Sequence, residues 1–247
     1  DLGETDLEQR TEMRFTHVPP FRPQGDPADI RQALDILQNA EKPVIVAGGG
    51  VRHSGARAEL TRLAEGLNIP VVTSLNGKDT FLSTHPLSAG VVGSYSRASA
   101  NRTIGEADLV CFVGSKTGGM TTHFWQVPAP GIDAIQIDIE PAEIGRNYPL
   151  KAAVQGDAKT VLSAMAEMMD KETANIRTAW TTRMQTIASE WQTEYEPLLT
   201  SDDVPIRPER MCRDLTDFLP SDAFVVVDTG HAGMWMGGMF DVSSPNQ

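Results

Sequence analysis

The run Pro43-Val-Ile-Val-Ala-Gly-Gly-Gly50 constrains the fold of this chain more than any other stretch. Val44, Ile45 and Val46 are consecutive and β-branched, which suits a strand covered on both faces, as parallel strands are. Gly48, Gly49 and Gly50 end the run, and Val51-Arg-His-Ser-Gly55 leads into a helix-like segment. A buried strand that delivers a glycine turn to a helix start opens an α/β unit, and ligands in such folds collect beyond the strand carboxyl ends. The glycines lack the spaced G-x-G-x-x-G fingerprint. Two readings therefore stand: a turn that lets a ligand approach the backbone, or a tight strand-to-helix turn and nothing more.

The same unit recurs. Asp26-Pro27 supplies an N-cap and a first-turn proline for a helix carrying Ile30, Leu34 and Leu37. Leu60, Leu63, Ala64 and Leu67 mark a second helix, closed by Asn68 and Pro70. Further strands are predicted over 70–73, 108–113, 134–138 and 152–155, with helices over 97–107 and after Asp157, the latter carrying Val161, Met165, Met168 and Met169. Such alternation demands parallel strands with right-handed crossovers, which place the strand-end loops on one edge. Five loops rich in Gly, Ser, Thr and Asp converge there, either to hold a nucleotide-like ligand or to make short turns.

The fold class expected is α/β: a Rossmann-like parallel sheet flanked by helices, followed by an incomplete second α/β domain. Residues 1–25, with Pro19-Pro20 and Pro23, read as a lead-in linker, 26–172 as the Rossmann-like domain, and 173–208 as a helix and a linker broken from Pro197 onward. Residues 209–247 read as the start of the second domain, with a helix bearing Met211, Leu215 and Phe218 and a buried strand over 223–228. Trp180 and Trp191 are expected to be packing residues.

Lys plus Arg total 21 against 33 Asp plus Glu, and a net charge of −12 repels polyanions, which argues against nucleic acid as a partner. No window reaches the roughly 18 to 20 apolar residues that span a bilayer, so no membrane partner is expected. Cys111 and Cys212 are isolated and read as small core hydrophobes. His17, His53, His85, His123 and His231 have neither H-E-x-x-H spacing nor Cys partners, and no G-x-S-x-G occurs, which argues against hydrolase or zinc chemistry.

Several phrases stand in a distinctive order and spacing: Lys42-Pro-Val-Ile-Val-Ala-Gly-Gly-Gly50, Ile69-Pro-Val-Val-Thr-Ser-Leu-Asn-Gly77, His85-Pro-Leu87 with Gly90 and Gly93, Ala107-Asp-Leu-Val110 leading to Gly114, Ile137-Asp-Ile-Glu-Pro-Ala-Glu-Ile144, and Gly156-Asp-Ala158. Together they resemble the central domain of thiamine diphosphate-dependent enzymes of the acetolactate synthase group. Asp228-Thr-Gly-His-Ala-Gly-Met-Trp235 resembles the entry to that family's diphosphate-binding domain. Residues 1–25 would then arrive from an upstream pyrimidine-binding domain.

The resemblance implies that Thr229, Gly230, His231 and Ala232 lie against the diphosphate of thiamine diphosphate, which backbone N–H groups at a glycine turn before a helix suit. It implies FAD or ADP in the central domain, lined by Gly49, Gly50, Thr73, Leu75, Gly93, Gly114, Asp138 and Asp157. Lys116-Thr-Gly-Gly-Met120 departs from the FAD pattern: Lys116 stands where those enzymes carry arginine, and a lysine cannot reproduce the planar fork. The implied chemistry is attack of the thiazolium carbanion on a small-molecule 2-oxo acid, loss of CO2, and transfer of the remaining unit to an acceptor.

The family's catalytic glutamate lies upstream of the matching region, so no catalytic residue is expected within this chain. Its Mg2+ is held by Gly-Asp-Gly and a later Asn, whereas Gly156-Asp-Ala158 here is followed by Arg-Met near residue 184; no metal ligand is expected either. The family implies a cytoplasmic homodimer or homotetramer whose activity needs more than these residues. The alternative is a non-catalytic nucleotide-binding or scaffold module.

Overall fold

The computed structural model describes residues 21–170, 176–245 and 247, so most of the lead-in and the start of the expected 173–196 helix lie outside the described residues. Helix α1 (Pro27–Asn39) starts where the Asp26 carboxylate accepts the Ala28 N–H at 2.8 Å. It is followed by β1 (Pro43–Ala47), α2 (Gly49–Ser54), α3 (Arg57–Leu67) and β2 (Val71–Thr73). A 3-10 helix (Leu75–Thr80), β3 (Ser88–Val91), α4 (Ala98–Gly105), β4 (Leu109–Val113), β5 (Asp133–Asp138), β6 (Ala152–Gln155) and α5 (Ala158–Met168) complete the alternation.

The six strands form one parallel sheet in the order β3-β2-β1-β4-β5-β6. The order reverses between β1 and β4, which is where a doubly wound sheet opens a crevice beyond its strand ends. Period-two alternation sorts β1 onto two cores. Ile45 and Ala47 face a cluster with Leu34, Leu60 and Leu162 from α1, α3 and α5, while Val44 and Val46 face Ile104 of α4. The all-buried run read from the sequence is thus a central strand between helical layers, and the Rossmann-like expectation holds.

One strand is additional to the sequence reading. Ser88-Ala-Gly-Val91 has too few branched residues to announce itself, buries only alternate positions, and joins β2 through an irregular register at Val71/Val72. It is an edge strand.

The opposite correction concerns 223–228. This stretch, expected as a buried strand, joins no sheet ladder, with Phe224 83% and Val226 94% exposed. A strand needs a neighbour as well as a composition. Of the N–H groups from Phe224 to Asp228, only that of Val225 finds a partner among the described residues, the Gln247 carbonyl at 3.0 Å.

Helix α6 (Thr178–Leu199) runs through Pro197, where a break was expected, because a proline in the last turn deletes a single ladder bond. Trp180 and Trp191 are buried as expected, and the Trp180 Nε1–H donates to the Pro43 carbonyl at 2.9 Å. Just before α6, fully buried Arg177 donates to the carbonyls of Leu37, Gln38 and Ala40 at the end of α1 and of Leu67 at the end of α3. One guanidinium thus satisfies two helix C-termini.

Helices α7 (Pro208–Phe218) and α8 (His231–Met239) pack with the end of α6 around Trp191, Cys212, Met236 and Phe240. The face of α7 is corrected: Cys212 and Glu209 are buried, whereas Met211 and Phe218, expected inside, are exposed. Cys111 and Cys212 are both buried free thiols, as read from the sequence.

Candidate functional site

Beyond the carboxyl ends of β1, β4, β5 and β6 lies a cleft of about 710 Å³. It brings together Gly49, Gly50, Gly114, Lys116, Asp138 and Asp157 of the nucleotide candidates. Its floor explains part of the glycine pattern. A Cβ on Gly50 would sit 2.7 Å from the Cα of Gly114, and Gly114 itself holds φ 56°. The β1 and β4 loops therefore meet backbone to backbone, and the glycines serve that approach in the first place. Gly49 differs, since a Cβ there would meet only ordinary contacts near Asn76 and His53.

Three candidates lie elsewhere. Thr73 is buried at the end of β2, and Gly93 is covered by the Met120 and Thr121 carbonyls. Leu75 lines a separate pocket of about 330 Å³.

Two acids give the cleft its polarity. Asp157 caps α5 by accepting the Lys159 and Thr160 N–H groups and pairs with Arg22 at 3.2 Å. Asp138 is only 8% exposed, accepts the Glu140 N–H at 3.0 Å, and has no cation within ion-pair distance among the described residues. Burial pushes its carboxyl above the usual range and Glu143 adds to the shift, with the Glu140 N–H acting against both. An acidic side chain at this strand end, set to accept from hydroxyl groups, suits a ribose. Lys116 is highly exposed and reaches toward Glu143 at 3.9 Å. Phe21 and Arg22 of the lead-in also line the cleft, and nothing in their local sequence announced it.

The smaller pocket adjoins the second candidate region. Thr229 lines it with Leu75, Tyr95 and Lys78, and Gly230, His231 and Ala232 follow at the start of α8, all exposed. No side chain caps that helix start, so its first N–H groups are available to an anion. These donors fit one side of a diphosphate. At the other end of α8, Lys78 Nζ donates to the Met236 and Gly237 carbonyls at 2.9 and 2.7 Å, and Arg97 Nε donates to Gly238 at 2.8 Å. Burial, reinforced by Arg97, pulls the Lys78 ammonium down to about 7, with Asp241 opposing.

Among the described residues no group of three or more His, Cys, Asp or Glu side chains gathers to hold a metal ion. The described acids do not form the oxygen cage that Mg2+ requires.

Residues 30–165 match the family described as "Thiamine pyrophosphate enzyme, central domain". The chain belongs to the thiamine pyrophosphate (diphosphate) enzyme family. Over 98% of its length it is 35% identical to a probable acetolactate synthase large subunit of Methanocaldococcus jannaschii, spanning 42% of that relative. Over 90% of its length it is 30% identical to the acetolactate synthase isozyme 3 large subunit of Escherichia coli, spanning 39% of it. The chain therefore covers less than half of the family members it matches. The sequence phrases that suggested this family fall mainly on strand ends and their loops, where the cleft is built.

Proposed function

We propose that these residues belong to a thiamine diphosphate-dependent decarboxylase or carboligase of small 2-oxo acids. In this reading, 26–172 form the central domain and 209–247 begin the diphosphate-binding domain. The observation that supports it most is the similarity to acetolactate synthase large subunits along 98% of the chain. The uncapped α8 start beside Thr229 and Gly230 adds donors of the right kind.

When bound, the cofactor supplies an electron sink for the carbanion left by loss of CO2. This chain's own contribution is to receive the diphosphate on the Thr229–Ala232 turn and to hold that turn in place. Lys78 and Arg97 do the holding by clamping the far end of α8. The catalytic acid and the Mg2+ ligands belong to other parts of the whole protein, which is proposed to be a cytoplasmic homodimer or homotetramer. In the same reading the cleft at the β1/β4 switch holds an accessory nucleotide, with Asp138 facing the ribose.

The test is CO2 release from pyruvate by the full-length protein supplied with thiamine diphosphate and Mg2+. Turnover is expected, and failure to bind thiamine diphosphate would sink the reading. A non-catalytic nucleotide-binding module is the second reading, favoured by the buried acid Asp138 at the cleft. It predicts a thermal shift with nucleotide and none with thiamine diphosphate.

A further inference from the structure

We infer that the central cleft admits one nucleoside diphosphate and excludes a dinucleotide of the FAD kind, the limit being set by Phe21 at one end and the 116–125 loop at the other. The inference rests on the reading of the cleft as a nucleotide site.

At the β6 end, the backbone after Phe21 is fixed. Arg22 Nη1 donates to the Ser54 carbonyl at 2.6 Å and pairs with Asp157, while the Pro23 carbonyl accepts the Asp157 N–H at 2.8 Å and the Thr160 hydroxyl at 2.9 Å. Phe21 nevertheless remains 79% exposed at the cleft wall. An exposed ring on an anchored segment is a stacking platform for a flat heterocycle. Ile139, also exposed, follows Asp138 at the end of the neighbouring β5. A base against these two places the ribose at Asp138 and the phosphates toward Gly49, with the exposed cation Lys116 on the same cleft wall.

The other end is bounded by Lys116 and Thr121 of the 116–125 loop. The 116–125 loop lies on Gly93 so tightly that a Cβ there would sit 2.1 Å from the Met120 oxygen, and the Ser94 N–H donates to that oxygen at 2.8 Å. Buried Thr122 braces the loop, donating from its hydroxyl to the Gly118 carbonyl and accepting the Trp125 N–H, each at 3.0 Å. This holds His123, Phe124 and Trp125 in left-handed backbone, an arrangement that tight bracing must maintain. Arg52 and Asn76 line both the cleft and the smaller pocket and form the wall between them, with Arg52 held 3.5 Å from Asp79. The extended second half of FAD would have to displace that wall or lift the loop.

The experiment is isothermal titration of the full-length protein with ADP and with FAD, for the wild type and for Phe21→Ala and Phe21→Trp, each shown by thermal melting to be folded. ADP is expected to bind at least tenfold tighter than FAD. Phe21→Ala should weaken ADP about tenfold, as the loss of one base-stacking contact does, and Phe21→Trp should restore it. FAD binding as tightly as ADP would overturn the inference and leave the nucleotide reading standing. An unchanged ADP affinity in Phe21→Ala would overturn the placement of the base. Binding of neither ligand would remove the nucleotide reading itself, and this inference with it.

Discussion

Lys78 Nζ lies 2.7 Å from the carbonyl oxygen of Gly237, a residue 159 positions further along the chain. The ammonium is enclosed, with Arg97, Asp241 and Cys212 as its ionisable neighbours, and it titrates near 7 where an ordinary lysine titrates at 10.5. Between those values the unfolded chain binds more protons than the fold, so stability rises with pH across that window. Below pH 7 the cost of burying the charge is fully present. Linkage bounds the gain between pH 7 and 10 at about 4 kcal/mol. Urea unfolding at both pH values should therefore show a rise in the wild type that is lost in Lys78→Met; equal pH slopes for the two proteins would count against this account.

The glycine loops give a contrast between adjacent residues. Gly50→Ala drives a Cβ into the Gly114 backbone, which cannot swing aside as a side-chain tip would, and should cost about 2 to 3 kcal/mol. Gly49→Ala meets ordinary contacts only and should change stability by less than about 1 kcal/mol. Chemical denaturation of the two variants checks the pair. Equal losses would mean that the loops can separate.

Arg177 supplies a third expectation. Arg177→Leu leaves the ends of α1 and α3 without their shared donor, at the carbonyls of Leu37, Gln38, Ala40 and Leu67. A loss of about 3 to 5 kcal/mol is expected from the unpaired buried carbonyls. Arg177→Lys should recover little of it, because one ammonium cannot span both helix ends. The measure is the denaturant midpoint of each variant, and a wild-type midpoint for Arg177→Leu would contradict the assignment.

Both thiols should be silent in the folded protein. Burial pushes Cys111 up to about 12 and Cys212 up to about 11, so neither presents thiolate at neutral pH. Reaction with a disulfide reagent should be slow at pH 7.5 and complete only in denaturant. Rapid modification of either residue in the native protein would show that its helix or strand opens.

The strands at the centre of the sheet were legible because burial on both faces leaves an unbroken apolar run, as in Val44-Ile-Val46 and Leu109-Val-Cys-Phe-Val113. The edge strand Ser88–Val91 was not, because an edge tolerates Ser and Gly, and composition alone cannot tell it from a loop. The run from Ala223 to Asp228 misled for the complementary reason: it has the composition of a central strand, but pairing is supplied by other parts of a chain. Six of the nucleotide candidates met at one cleft because strand ends of a parallel sheet share an edge. Lys78, Arg97 and Arg177 escaped notice because the carbonyls they donate to lie more than 100 residues away in sequence. The one local hint was a lysine, Lys78, set in a glycine-containing strand-end loop.

Phe224-Val-Val-Val227 has a consequence for handling the protein. It combines high β-propensity with no charge and no proline, and most of its N–H groups are unpaired among the described residues. A segment of that kind is a template for intermolecular pairing, the hazard that soluble proteins blunt with charges or cover with another element. A polypeptide that leaves it bare should self-associate with rising concentration, and the flanking residue best placed to restrain it is the acid Asp228.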